Sequence, residues 1–307
     1  MQQTTIQKTV KCSGIGLHSG RRVELAIRPA DVDTGIVFVL HDDNGTRFLT
    51  PNPNNVVGTG LATTLGQGND TIGTVEHLMA TLRGLNIDNV QIDVSGGEVP
   101  IMDGSAASFV FLLKSAGIRK LGKPRRMFML TKSFEYRDGE KSIKARPYDG
   151  FRVDYTIEFD HPRIGTQTMR FELTPESFSA EVAKARTFGF LRDVEYLQKN
   201  GLALGGSLDN AVVLDEYGVV NGEGLRFEDE FVRHKILDFI GDMSVSPLPL
   251  MGHFEVRCSG HAFNNAFLRE LTENGAQYLR TVEAEEAVPV QAAACQEQDV
   301  AGMPVLA

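Results

Sequence analysis

At 307 residues, with 42% hydrophobic and 23% charged side chains, the chain has length for two globular domains and is too apolar to stay disordered. A formal net charge of −9 excludes nucleic acid as the main partner, since a phosphate backbone needs a basic face, but it leaves room for a small anionic ligand met by a few Lys or Arg side chains. Cys12, Cys258 and Cys295 lie far apart without a CxxC pair, which excludes a disulfide framework and a thiolate metal site, so any metal must be held by His and carboxylates.

Residues 5–11 and 22–28 read as strands around a Gly-rich turn, Gly14 to Gly20, that carries His18. No helix follows this turn, so it is not a dinucleotide fingerprint. Residues 36–40 read as a strand and 41–56 as loops. Thr74 to Gly84 is the first clear helix, with Val75, Leu78, Met79 and Leu82 as its apolar stripe and Glu76 and His77 off that stripe. A strand at 89–94, a loop through Glu98 to Ser105 and a helix at 106–115 complete a first domain, 1–120. Residues 121–126, at the end of a basic, Pro-containing run, read as a solvated linker.

The second domain, 127–282, is expected to hold strands at 127–136, 142–147, 151–159 and 167–173. A helix at 175–185 and a short one at 193–199 follow, then strands at 211–214 and 218–220. A strand at 252–258 and a helix at 262–273 close the domain. Each half combines strands with two helices, so the fold class is α+β. The tail, 283–307, lacks periodicity and is expected to be disordered. No apolar run approaches the length of a membrane span, and Met1 to Lys11 lacks a signal-peptide core. A cytoplasmic protein without a stable membrane anchor is therefore expected. Nothing suggests a coiled coil, and a monomer is expected.

The stretch from Glu228 to Asp242 organises the rest. It reads as a helix with Gly241 near its end; Val232, Ile236, Phe239 and Ile240 form its apolar stripe. His234, Asp238 and Asp242, at i, i+4 and i+8, share another face. A His and an Asp one turn apart can grip one cation, although such a pair also stabilises a bare helix surface. A hydrolytic zinc site needs three protein ligands and a separate carboxylate base. His77, His234 and Asp238 would supply the first, and Glu76 the second. This is not the HExxH helix, because Met79-Ala-Thr stands where its second His would be.

Six segments carry a family resemblance: TVEHLMATLRGL (74–85), IDNVQIDV with EVPIMDGSA, ARTFGF (185–190), GGSLDNA (205–211), GLRFEDEFVRHKILDFIGD (224–242) and SGHAFNN (259–265). With SGIGLHSG near the N-terminus, they resemble, in one order from about residue 5 to 280, the zinc-dependent UDP-3-O-acyl-N-acetylglucosamine deacetylases of lipid A synthesis. The resemblance implies two layered α+β domains, each a small, mostly antiparallel sheet on a pair of helices, with the active site between them. It implies His77, His234 and Asp238 as zinc ligands, with iron an alternative occupant in cells, and Glu76 as general base. His261 would be the cation that meets the oxyanion and protonates the leaving amine, Asp242 its partner and Thr187 a hydroxyl at the substrate carbonyl. Lys235 and Lys141 would meet the nucleotide diphosphate. Phe188, within an apolar segment that also includes Phe190, would offer surface to the acyl chain. Leu191, Val194, Ala211 and Val213 would line the acyl passage, an insert near 187–214. An amphiphilic substrate would also bring transient membrane contact.

Two positions depart from the family pattern. Cys258 stands where many relatives have a Lys before Ser-Gly-His, and Ala62 stands where a Cys occurs near the site entrance. Neither touches a proposed ligand. Residue types alone leave open a related metal hydrolase with another amide or sugar substrate, or a binding module with a structural metal.

Overall fold

The computed structural model describes residues 1–42 and 45–283; most of the expected tail, 284–307, and with it Cys295, lies outside the described residues. The fold is α+β. Gln2–Ile6 (β1) opens the chain. Val10–Ile15 (β2) and Arg22–Pro29 (β3) flank the Gly-rich turn, followed by Ile36–Asp42 (β4) and Gly45–Leu49 (β5). Val56–Gly58 (β6), Thr64–Gln67 (β7) and Asp70–Ile72 (β8) form a small sheet that leads into Glu76–Gly84 (α1). Val90–Val94 (β9), Ala107–Ala116 (α2) and Ile118–Pro124 (β10) complete the first half.

Arg126–Leu130 (β11), Phe134–Asp138 (β12), Lys141–Arg146 (β13), Phe151–Phe159 (β14) and Gly165–Glu172 (β15) open the second half. Pro175–Ser177 (α3) is one turn that runs into a π-helical stretch, Phe178–Val182. Phe188–Phe190 (β16), Leu191–Lys199 (α4) and Val212–Leu214 (β17) precede Glu230–Met243 (α5). Leu250–Arg257 (β18), His261–Glu273 (α6), Gly275–Tyr278 (α7) and Leu279–Glu283 (β19) close the described chain.

Alternation builds the first sheet. On β3, Val23, Leu25 and Ile27 are buried while Arg22 and Glu24 face solvent. The strand order is β2-β3-β9-β4-β5, with only β4 and β9 parallel. The second sheet runs β12-β13-β18-β11-β19, with β14 on β18 and β15 on β14. Its β14 alternates likewise, with Phe151, Val153, Tyr155 and Ile157 buried.

Helix α5 is buried on nearly every side, packed against α1, α6, β14 and β15. Val232, Ile236, Phe239 and Ile240 are in the core as the stripe requires, yet His234, Asp238 and Asp242 are buried too. Gly241 does not stop the helix. It lies where the start of α1 crosses: a Cβ there would sit 2.1 Å from the Glu76 carbonyl oxygen, so only glycine allows the two backbones this close.

The structure corrects several expected elements. The stretch 41–56 contains β5 and a 3-10 turn at Pro53–Asn55; β5 is an edge strand with one buried residue, Leu49, so no apolar alternation marks it. The strand expected at 127–136 is two, β11 and β12. That at 218–220 reduces to a bridge between Leu214 and Val219. The helix expected at 175–185 is one turn capped by Thr174 and then π-helical. The basic run 119–124 is an exposed strand paired with β1, and Arg125, expected to be solvated, is buried against Asp88. Among the described residues, no helix is long and apolar enough to cross a membrane.

Candidate functional site

The site forms where the starts of α1 and α6 meet the middle of α5. Thr74, just before α1, has a left-handed backbone (φ 57°), and its hydroxyl donates to Glu98 Oε1 at 3.0 Å. That costly conformation for a β-branched residue is the kind held at functional sites. Two residues on, α1 begins with Glu76 and His77, both buried.

His77, His234 and Asp238 converge, with one ligand atom from each within 4.8 Å of the others. The Nε2 atoms of His77 and His234 lie 3.5 and 3.3 Å from Asp238 Oδ1, and the two rings meet edge-on at 5.0 Å. His234 Nδ1 donates to the Ala185 carbonyl at 3.1 Å, which fixes the tautomer and leaves Nε2 free to bind. Burial drives His234 down to about 3, so the ring is neutral. Burial would raise Asp238, but the cationic Lys235 and His261 outweigh it and hold the carboxyl well below its usual range. A neutral imidazole and an ionised carboxylate are the forms that ligate a divalent cation, so these residues fit the implied metal.

Glu76 and His261 flank this trio. Glu76 Oε2 accepts from the Thr63 backbone N–H at 3.0 Å, and burial raises its pKa. His261 Nδ1 faces Asp242 Oδ2 at 2.8 Å, and His261 Nε2 is 4.0 Å from Asp238 Oδ2. Burial alone would push His261 down. Asp242, Asp238 and Glu76 instead lift it to about 9, so the ring is cationic at neutral pH despite standing at a helix N-terminus. Asp242 is held in turn by the Thr63 hydroxyl (2.6 Å) and Asn264 Nδ2 (2.8 Å). Tyr155 donates to the Ser259 carbonyl at 2.9 Å, and Cys258 takes a left-handed turn (φ 49°) that redirects the chain from β18 into α6.

A buried ion pair sets the opposite wall. Arg186 and Glu230 side chains are 2% and 0% exposed, and Glu230 accepts from the Arg186 backbone N–H and guanidinium. This locks Ala185 and Thr187 onto the start of α5. Thr187 is tied by its own N–H to Gly104 O at 2.7 Å and by its carbonyl to Val212 N–H. Gly104 packs so close to Asn210 O that a Cβ would fall 2.0 Å from it. The separated motifs around 104, 187 and 210 thus meet here. Glu98 organises the Gly-rich turn by accepting from the His18 and Ser19 N–H groups at 2.8 and 3.0 Å.

The expected substrate residues spread outward. Lys235 donates to Asp238 Oδ2 at 2.8 Å and lies 5.7 Å from the Phe188 ring centre. Lys141 is exposed; Ser142 pairs with Arg257, which sets Lys141 beside the Cys258 turn. Phe188 packs edge-on against Phe231 at 5.0 Å. Val194, Ala211 and Val213 are partly buried and Leu191 is 51% exposed, on a segment joined by the parallel β16–β17 pair. Thr63, Asn264 and Arg186 were not anticipated. Asn264 and Arg186 fall inside SGHAFNN and ARTFGF, whereas Thr63 belongs to no motif.

The chain matches the family model described as UDP-3-O-acyl N-acetylglycosamine deacetylase (LpxC) over residues 3–273. It is 61% identical to the UDP-3-O-acyl-N-acetylglucosamine deacetylase of Oleidesulfovibrio alaskensis over 307 residues, the full length of both chains. It is 60% identical to the protein of that name from Nitratidesulfovibrio vulgaris over 283 residues, 92% of each chain. A further relative of the same name, from Haemophilus influenzae, is 45% identical over 293 residues, 94% of this chain and 96% of the other.

Proposed function

The chain belongs to the UDP-3-O-acyl N-acetylglycosamine deacetylase family, and we propose that it is a zinc-dependent amidohydrolase of lipid A biosynthesis. Its substrate would be UDP-3-O-(3-hydroxyacyl)-N-acetylglucosamine, cleaved to acetate and the free amine. The observation that carries this reading is the convergence of His77, His234 and Asp238 beside Glu76 and a carboxylate-bound His261. Three protein donors with a separate base are the set of a catalytic rather than a closed structural site.

Zinc held by these three residues would supply a Lewis acid that activates water and polarises the amide carbonyl; the donors also suit iron. Glu76 takes the proton from water as its oxygen bonds to the carbonyl carbon. Burial has moved its carboxyl toward the range where a base works best. Cationic His261 and the Thr187 hydroxyl face the developing oxyanion. As the C–N bond breaks, His261 gives its Nε2 proton to the nitrogen, and Asp242 keeps the ring oriented and charged until then. Lys235 and Lys141 would meet the diphosphate, while Phe188, Leu191, Val194, Ala211 and Val213 would receive the acyl chain. Residues 1–120 and 127–282 act as two domains in this reading, within a cytoplasmic monomer that touches the membrane only transiently through its substrate.

The test is acetate release with bound metal counted before and after chelation. Activity should vanish with the metal and return with zinc. Fully metallated protein that releases no acetate from this substrate would overturn the proposal.

A further inference from the structure

A half-open pocket with charged groups in its wall lies at the far ends of α1 and α5. It is a cavity of about 320 Å³ between the end of α1, the exit of α5, the strand β1 and the start of β11, with Arg83, Asp88, Arg125, Arg126 and Ser246 in its wall. That volume is at the lower end for small-molecule sites. Its charges do not balance. Arg125 bonds Asp88 at 2.7 Å and Asn86 at 2.6 Å, and Asp88 also accepts from the Thr4 N–H. Asp33, the other acid in the wall, is taken by Gln3 and Lys123. The Arg83 side chain makes one hydrogen bond among the described residues, from Nη2 to the Leu250 carbonyl at 2.9 Å, and its guanidinium lies 5.8 Å from the Phe151 ring centre. One carboxylate, Asp88, therefore stands against two largely buried guanidiniums, with Arg126 exposed beside them.

A second, independent observation points the same way. Ser246 lines this cavity, the residue is more than nine-tenths buried, and its Oγ has no hydrogen-bond partner among the described residues. A buried hydroxyl without a partner costs free energy unless something fills the position. Burial, and then the charge of Arg125, lower Arg83 to about 9 against the opposing pull of Asp88.

We propose that this cavity binds a small oxyanion: inorganic phosphate, or the phosphate or carboxylate end of a small metabolite. The free N–H groups of Arg83, the Arg125 guanidinium and the Ser246 hydroxyl form its donors. An oxyanion there joins the end of α1, the strand junction at residue 125 and the loop that follows α5, all of which belong to the frame of the catalytic site. It lies roughly 9 Å along α1 from His77, at 1.5 Å per residue, and none of its wall residues is among those proposed to meet the deacetylation substrate.

Inorganic phosphate is the first probe, titrated calorimetrically into the metal-loaded full chain. Saturable one-to-one binding is expected, weakened by at least about tenfold in Arg83→Gln, since hydrogen bonds from a charged group are the strong ones. Ser246→Ala should weaken it less while acetate release stays unchanged. Lys141→Ala should leave it unchanged, which separates this cavity from a diphosphate subsite. Selenate soaked into crystals should give an anomalous peak between Arg83, Arg125 and Ser246. No saturable binding, binding indifferent to both Arg83→Gln and Ser246→Ala, or a peak only at the metal or near Lys141 would overturn the proposal. Should Arg83→Gln fold poorly, Ser246→Ala and the selenate peak decide. If phosphate binds, competition by phosphorylated and by carboxylated metabolites distinguishes the two sources.

Discussion

The buried cluster around α5 and the apolar rim carried by α4 are built on opposite principles. In the cluster, each group has partners fixed from several elements. Asp242 alone is held by His261, Thr63 and Asn264. On the rim, α4 has no buried residue, and Leu191 and Tyr196 are 51% and 69% exposed. The cluster is fixed before substrate arrives, as charge-stabilising groups must be. The rim leaves apolar surface uncovered, as a surface that receives a flexible chain does. The same substitution chemistry should therefore have different consequences in the two places.

The largest effect is expected at the proposed metal ligands. Asp238→Ala or His77→Ala should lose bound metal and essentially all acetate release together, read by metal analysis beside the assay. Glu76→Gln comes next. It should keep its metal and lose about 10²- to 10⁴-fold in kcat, the range for a general base. A Glu76→Gln enzyme with near-normal turnover would remove Glu76 from the base role and leave the cluster only a scaffold.

How much of this was legible follows the range of each interaction. His234, Asp238 and the stripe of α5 are local, set by a 3.6-residue period, and both faces are where that period places them. Strand β14 alternates over its expected span for the same reason. The burial of the polar face of α5 was not legible, because it depends on α1 crossing at Gly241. Nor was Thr63, whose partner Asp242 is 179 residues away. A threonine in the loop before β7 gives no periodic signal of such a contact. Arg125 misled in the other direction: within a basic run it looked solvated, and only the fold brings Asp88 to it. The ligand trio became compelling as a set through the family motifs, since spacing alone joins two of its members.

A smaller effect tests the second tier of the cluster. Asn264→Ala removes a hydrogen bond to Asp242, a charged partner, worth about 1.5–3 kcal/mol, or roughly ten- to hundredfold in kcat. The pH profile separates this from simple loosening. His261 is lifted to about 9, so the protonated acid is present at neutral pH and activity falls as pH rises through about 9. The acid limb follows Glu76, whose raised pKa places that limb above the ordinary carboxylate range. With Asp242 less firmly held, the alkaline limb should move to lower pH while the acid limb stays. The same sign governs stability: the raised pKa of His261 contributes stability that is full below about 6.5 and is lost as pH rises through about 9. An Asn264→Ala profile scaled down without any shift would assign Asn264 to packing alone.

The smallest effect is expected on the rim. Leu191→Ser removes exposed apolar surface, so folding stability should change by less than about 0.5 kcal/mol. The lost contact with an acyl chain, at about 0.8 kcal/mol per buried CH₂, should raise KM by roughly three- to tenfold, with kcat nearly unchanged. A substrate without the acyl chain should not register the substitution. If Leu191→Ser lowers kcat equally for acylated and deacylated substrates, the rim is coupled to the chemistry through β16 and Thr187. The contrast between a fixed cluster and an adaptable rim would then fail at the point where the two join.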